Sequence, residues 1–219
     1  MVLCLLVCWL AAWAWGPASA QTKGTKSSAG QEELLSRIWQ GVQDAQNKTA
    51  TACGNITETR TSKIFLKPKV FHGKFCAQGA EKFALEYLDP EPVRLRFNTD
   101  YLNVTTGGAD GLRTEAIEVG RYVRRAQSYF SRDNSIRNLL ENFTIRVRES
   151  DAVYEMRLEP RTQRFASRIN SLVVRFDKIG FSLRALEVDG TSGVRSVFSI
   201  EITSKNTKLD DGIFSVYKP

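Results

Sequence analysis

Between residues 31 and 46 the apolar side chains fall at Leu34, Leu35, Ile38, Trp39 and Val42, a spacing that lines one face of a helix. Ser28 and Gln31 stand at the separation of a capping box for its first turn. From Thr49 onward the period shortens to two. Runs rich in Thr, Ile, Phe, Val and Tyr at 51–65, 70–78, 82–88 and 93–97 read as strands, with turns at Asp89-Pro90-Glu91-Pro92 and Gly107-Gly108-Ala109-Asp110-Gly111. A helical pattern returns at 120–130, where Tyr122, Val123, Ala126, Tyr129 and Phe130 share a side. After Asp133-Asn134, Ser135 is placed to cap a further turn or two bearing Ile136, Leu139, Leu140 and Phe143. Strand patterns resume at 143–148, 153–158, 171–176, 181–188, 194–202 and 212–217, with a tight turn at Asp189-Gly190. The pattern predicts roughly nine to eleven strands, with one helix before them and one or two in the middle.

Strands that follow one another through short turns pair antiparallel, so the fold class is mainly β: a curved antiparallel sheet with helices on one side. The outer face is too polar for a membrane barrel, and the concave face is apolar with only short amphipathic helices to cover it. Two outcomes stay open at this point. The apolar faces either pack into a solid core, or the helices lie over an unfilled sheet and leave a cavity.

Ahead of this pattern, residues 1–15 are uncharged and apolar throughout, and they lead into Gly16-Pro17 and the small-residue site Ala18-Ser19-Ala20. That is the form of an export signal cleaved after Ala20, with an uncleaved anchor as the alternative, and it falls short of the ~20 residues a membrane span needs. Residues 21–30, polar, small and basic, read as a disordered leader, and 31–219 as one domain. Cys8 makes a poor lipidation site, since Val7 is bulky and little apolar sequence precedes it. Cys4 and Cys8 leave with the signal, so Cys53 and Cys76 are the cysteines of the mature chain and are expected to form a disulfide in an oxidising compartment. A metal pair is the alternative for them, with His72, the sole histidine, as the one extra nitrogen.

The formal net charge of +7 lies entirely after residue 20 and suits anionic surfaces or acidic partners. Nucleic acid is not expected. The basic residues alternate with apolar ones, as in Arg94-Leu95-Arg96-Phe97, which is the wet face of a sheet and not a recognition element. Catalytic signatures are sparse. No G-x-S-x-G occurs, His72 sits at a turn or strand edge, and the acidic pairs Glu32-Glu33 and Asp210-Asp211 fit helix starts and turns. Asn47, Asn55, Asn103 and Asn142 each head an N-x-Thr glycosylation pattern that matters only in a eukaryotic secretory route. No enzyme and no cofactor are expected. A secreted interaction module with a solid core and a basic docking face is one reading these features allow.

Several phrases in order carry a resemblance. They are Lys82-Phe83-Ala84-Leu85-Glu86-Tyr87 with Asp89-Pro90-Glu91-Pro92, a strand ending Leu158-Glu159-Pro160, and the tail Asp189-Gly190, Val197-Phe198-Ser199-Ile200, Asn206, Gly212-Ile213-Phe214-Ser215-Val216 and Pro219. Across nearly the whole mature chain this resembles the LolA-type periplasmic lipoprotein carriers, as a divergent member. The resemblance implies an incomplete β-barrel under an N-terminal helix and a central helical lid. It implies a periplasmic monomer that takes lipoprotein or lipid acyl chains from an inner-membrane ABC transporter to an outer-membrane receptor or the outer membrane itself. Long acyl chains need such protection, because each CH₂ is worth about 0.8 kcal/mol on leaving water. The lining would come from Phe75, Phe83, Leu85, Tyr87, Leu95 and Phe97, with Leu35, Ile38, Trp39, Tyr122, Phe130 and Leu139 from the helices, and Phe143, Ile145, Met156, Phe176, Phe198 and Ile200 below. In this chain Gly79 falls where such carriers hold a basic residue that ties down the lid, and Leu85 stands for an aromatic.

Overall fold

The alternation after Thr49 forms strands because successive side chains point to opposite faces of an extended backbone. A computed structural model describes residues 29–108, 111–120 and 135–218. Helix α1 (Ala29–Asn47) comes first. It is followed by β1 (Thr51–Ser62), β2 (Lys69–Gln78), β3 (Lys82–Asp89), β4 (Val93–Phe97), β5 (Tyr101–Gly108) and β6 (Gly111–Glu118). After a crossing segment come α2 (Ser135–Asn142), β7 (Phe143–Glu149), β8 (Val153–Pro160), the single turn α3 (Gln163–Ala166), β9 (Ile169–Asp177), β10 (Leu183–Gly190) and β11 (Val194–Lys205), with a 3₁₀ turn at Asp211–Phe214.

All eleven strands form one antiparallel sheet in the order β6-β5-β4-β3-β2-β1-β11-β10-β9-β8-β7. The chain meanders outward from β1 to β6, crosses to the far edge, and meanders back from β7 to β11, which pairs with β1 from Ala52 opposite Lys205 to Ser62 opposite Val194. Among the described residues β6 and β7 are the free edges, so the sheet is not closed into a barrel. The incomplete-barrel class is the one observed. Register shifts at Cys53/Gly54, His72/Gly73 and Leu183/Ala185 mark bulges, which bend the strands they interrupt. At the first of these, a Cβ on Gly54 would sit 1.9 Å from the Glu201 carbonyl oxygen, so only glycine allows the backbones to come this close.

Inward-facing residues of the sheet join α1 in one apolar cluster. Leu35, Ile38 and Val42 of the helix meet Ile56, Phe75, Phe83, Leu85, Phe97, Met156, Phe176, Phe198 and Ile200. The stripe read from the sequence is therefore the face that docks.

Three expectations need correction. The strand predicted at 212–217 is absent: Asp210 accepts a hydrogen bond from the Gly212 N–H at 2.9 Å and starts the 3₁₀ turn, which buries Phe214. The first strand stops at Ser62 and not at 65, since the N–H of Phe65 turns back to the Ser62 carbonyl. The tenth begins at Leu183, because Phe181 adopts a left-handed backbone (φ 48°) in the preceding turn. The signal, the leader up to Ser28 and the predicted helix at 121–130 lie outside the described residues.

Candidate functional site

Alternation along the strands sets which side chains share the concave face, and α1 lies across it. The helix is fastened at the free edge of the sheet. Gln31 donates from Nε2 to the Val147 carbonyl and accepts the Val147 N–H at Oε1, both at 3.0 Å, so its amide stands in for the strand that β7 lacks on that side. The capping box expected with Ser28 lies outside the described residues. Arg37 then reaches Glu149 at 2.7 Å, and Lys178 reaches the same carboxylate at 2.6 Å. Those contacts hold the Glu149 carboxyl below its usual range, chiefly through the Lys178 hydrogen bond. The far end of α1 is clamped by Asn206, whose side chain donates to the Lys48 carbonyl and accepts the Ala50 N–H.

Under the helix the proposed lining residues converge. Leu35, Ile38, Phe75, Phe83, Leu85, Tyr87, Phe97, Leu139, Phe143, Met156, Phe176, Phe198 and Ile200 are buried in the common cluster, and Trp39, Leu95 and Ile145 pack against it half-buried. Phe75 and Phe83 stack with centroids 6.3 Å apart. Tyr122 and Phe130 lie outside the described residues.

A cavity opens at the C-terminal end of α1. About 260 Å³ in volume and half-open, it lies between Val42, Ala45, Gln46 and Asn47 of the helix and Ala52, Ala77, Gly79, Ala80, Phe181, Leu183, Ile202 and Lys205 of the sheet ends and turns. Small side chains leave this space, with Phe181 as one wall. Lys205 sits in its lining and donates to Ser182 Oγ at 2.7 Å. Gly79, which replaces a basic lid latch in the resemblance, takes φ 55° in the β2–β3 turn here, and its N–H goes to the Ala50 carbonyl. Among the described residues, none of those proposed from the sequence as lining touches this space.

The concave face also carries a carboxylate that sequence reasoning missed. Glu58 is 1% exposed. Its Oε1 accepts from Ser196 Oγ at 2.8 Å and from Arg60 Nε at 2.9 Å, and its Oε2 accepts from the Tyr87 hydroxyl at 2.7 Å. Arg60 in turn covers the Phe71 ring at 4.8 Å. Burial, reinforced by the Glu58 charge, pushes the Tyr87 phenol far above its ordinary range. This cluster ties β1, β3 and β11 together beside the apolar lining.

Cys53 and Cys76 are bonded, as expected, across facing positions of β1 and β2 with Cα atoms 4.1 Å apart. His72 is exposed and shares a 3.3 Å contact with Thr57 Oγ1. Asn103 is 4% exposed, and its amide is committed in both directions to the backbone of Tyr217, so it is not open to a glycan. Asn47 and Asn55 are exposed.

No family model matches the chain, and no curated protein matches it. Solved structures do. An uncharacterized conserved protein from Thermus thermophilus is 9% identical, covers 84% of this chain and 94% of its own, and superposes with a TM-score of 0.53. A LolA superfamily protein from Nitrosomonas europaea is 10% identical over 83% of this chain and 97% of its own, with a TM-score of 0.38. Lipoprotein LppX from Mycobacterium tuberculosis is 13% identical over 82% and 98%, with a TM-score of 0.46. At such identities the likeness is one of fold. With the open eleven-stranded sheet and the helix laid on its apolar face, the described residues form an incomplete-barrel fold, which the chain shares with the Thermus thermophilus protein.

Proposed function

We propose that this chain is an exported carrier of acyl chains, which receives lipoprotein or related lipid in the apolar interior between the sheet and its helices and performs no chemical step of its own. The observation that carries this reading is the way the interior is covered. Among the described residues the sheet stays open between β6 and β7, and α1 closes over it by an apolar stripe and a few polar contacts at the edge, Gln31 with Val147 and Arg37 with Glu149. Such a cover can lift without breaking any ladder between strands. The half-open cavity at the end of α1 supports the reading, since helix and sheet are not fully packed together there.

In this reading the segment ending at Ala20 is removed on export, and the freed protein shuttles through the periplasm from an inner-membrane ABC transporter to an outer-membrane receptor or the membrane itself. Transfer runs on differential affinity between donor, carrier and acceptor. Leu35, Ile38, Trp39, Phe83, Leu85, Phe97 and Met156 would face the bound chains. Native mass spectrometry of protein purified from the periplasm tests the proposal. Bound lipid or lipoprotein that leaves on delipidation and returns on incubation is the expected result. A protein always recovered empty, and unable to take up a hydrophobic dye while folded, would identify a solid interaction module instead.

A further inference from the structure

The loop that joins β1 to β2 interleaves aliphatic side chains with lysine. In Ser62-Lys63-Ile64-Phe65-Leu66-Lys67-Pro68-Lys69, Ile64 is 83% exposed and Leu66 is 104% exposed, so two large aliphatic side chains stand wholly in water. They are not there through disorder of the turn. The Phe65 N–H bonds to the Ser62 carbonyl at 3.1 Å, Phe65 is half-buried, and the Lys69 ammonium lies 5.2 Å over its ring. Folding inward would hide Ile64 and Leu66, yet the fixed turn presents them outward. Each is flanked by lysine, and among the described residues neither Lys63 nor Lys67 has an acidic partner.

The neighbouring strand ends extend the same rim. Register places Val70 next to the loop, and Leu88 and Leu112 at the same end of β3 and β6; these are 41%, 53% and 74% exposed. Arg113 adds a cation there, while Asp89 and Glu91 in the β3–β4 turn are the opposing charges. The positive, apolar part of the rim is thus the β1–β2 loop itself.

From this we infer that the β1–β2 loop is a membrane-docking element that sets Ile64 and Leu66 into the interface of an anionic bilayer with Lys63, Lys67 and Lys69 among the headgroups. Aliphatic side chains interleaved with lysine match the two layers of such a surface: the stems reach apolar depth and the ammonium groups stay with the phosphates. A protein partner would instead require a shaped apolar patch with few lysines at its centre. The inference extends the carrier reading by naming where the protein meets a membrane, and it stands on the loop alone, whatever the interior holds.

Vesicle flotation tests it, with vesicles of equal parts phosphatidylglycerol and phosphatidylcholine against pure phosphatidylcholine, using parent and variants that share one N-terminus. The parent should float with the anionic vesicles only, and less so as salt rises. Replacing Ile64 and Leu66 together by Ser should weaken binding by about tenfold or more, and Lys63, Lys67 and Lys69 to Gln by on the order of a hundredfold. The same lysines changed to Arg should restore it. Ile179→Ser, an equally exposed aliphatic at the opposite end of the sheet, should change nothing. Absence of flotation overturns the inference, as does flotation that survives both loop variants or falls equally with Ile179→Ser. An empty interior by mass spectrometry together with loop-dependent flotation would sink the carrier and keep the docking loop.

Discussion

Replacing Glu58 by Leu leaves two hydroxyls without a partner in a place water does not reach. Ser196 is 0% exposed and Tyr87 7%, and both donate to the carboxylate that the change removes. An orphaned buried hydroxyl costs about 1–3 kcal/mol. Arg60 adds little, because its side chain is 35% exposed and can turn to solvent. The burial cost of the carboxylate itself disappears, which offsets part of the loss. The sum is about 3 kcal/mol, a large share of the stability of a single domain. Urea unfolding followed by the fluorescence of Trp39, which packs half-buried against the core, measures it. The decisive comparison is the triple variant Glu58→Leu, Tyr87→Phe, Ser196→Ala, in which every polar member has gone. It should recover to within about 1 kcal/mol of the parent, since an apolar cluster of similar volume packs as well as a satisfied polar one. A single variant that loses under about 1 kcal/mol, or a triple variant no better than the single, would refute the reasoning.

Three further outcomes are expected. In alkali the same cluster should govern stability: the unfolded chain releases the Tyr87 proton near 10 while the folded chain keeps it. Stability should therefore be complete below that pH and fall by about 1.4 kcal/mol per unit above it, a slope that the Tyr87→Phe variant lacks and that the difference curve between parent and variant isolates. Changing Cys53 and Cys76 together to Ala opens a loop of sequence separation 23, which should cost about 3 kcal/mol and lower the thermal midpoint by roughly 6–12 °C in a calorimeter. Asn103→Ala should cost about 1–2 kcal/mol and release the tail, seen as faster amide exchange at Tyr217 and earlier proteolysis around Phe214.

The sequence was most legible where alternation was strong. Val93–Phe97 is read to the residue, and α1 differs by two residues at its start and one at its end, because each turns one regular apolar face toward the core. β5 and β6 were seen only through the turn between them. Their Thr and Gly residues and the mostly exposed run Gly111–Glu118 carry no apolar period. The tail misled for the opposite reason: Ile213, Phe214 and Val216 look like a strand, but a side-chain amide on Asn103 provides the partner that a neighbouring strand would. The large lining residues gather as the period of two requires. The cavity escaped because alanines frame it, and alanine gives no signal to a search for bulky apolar side chains. Glu58 escaped because Thr57, Glu58, Thr59 and Arg60 are polar on both faces, so nothing local says which side points inward.

The pairing of β1 with β11 has a consequence for how the protein comes into being. A chain made from its N-terminus delivers β1 early and β11 almost last, yet the two lie side by side at the centre of the sheet. The outer meanders can each form from near neighbours, while the seam between them waits for loop closure across most of the chain. Until then β1 presents an unpaired edge, the kind of surface on which chains aggregate. The Cys53–Cys76 bond, local to the first hairpin, joins β1 to β2 before the seam can close, and so gives the waiting half of the molecule a fixed register to hold.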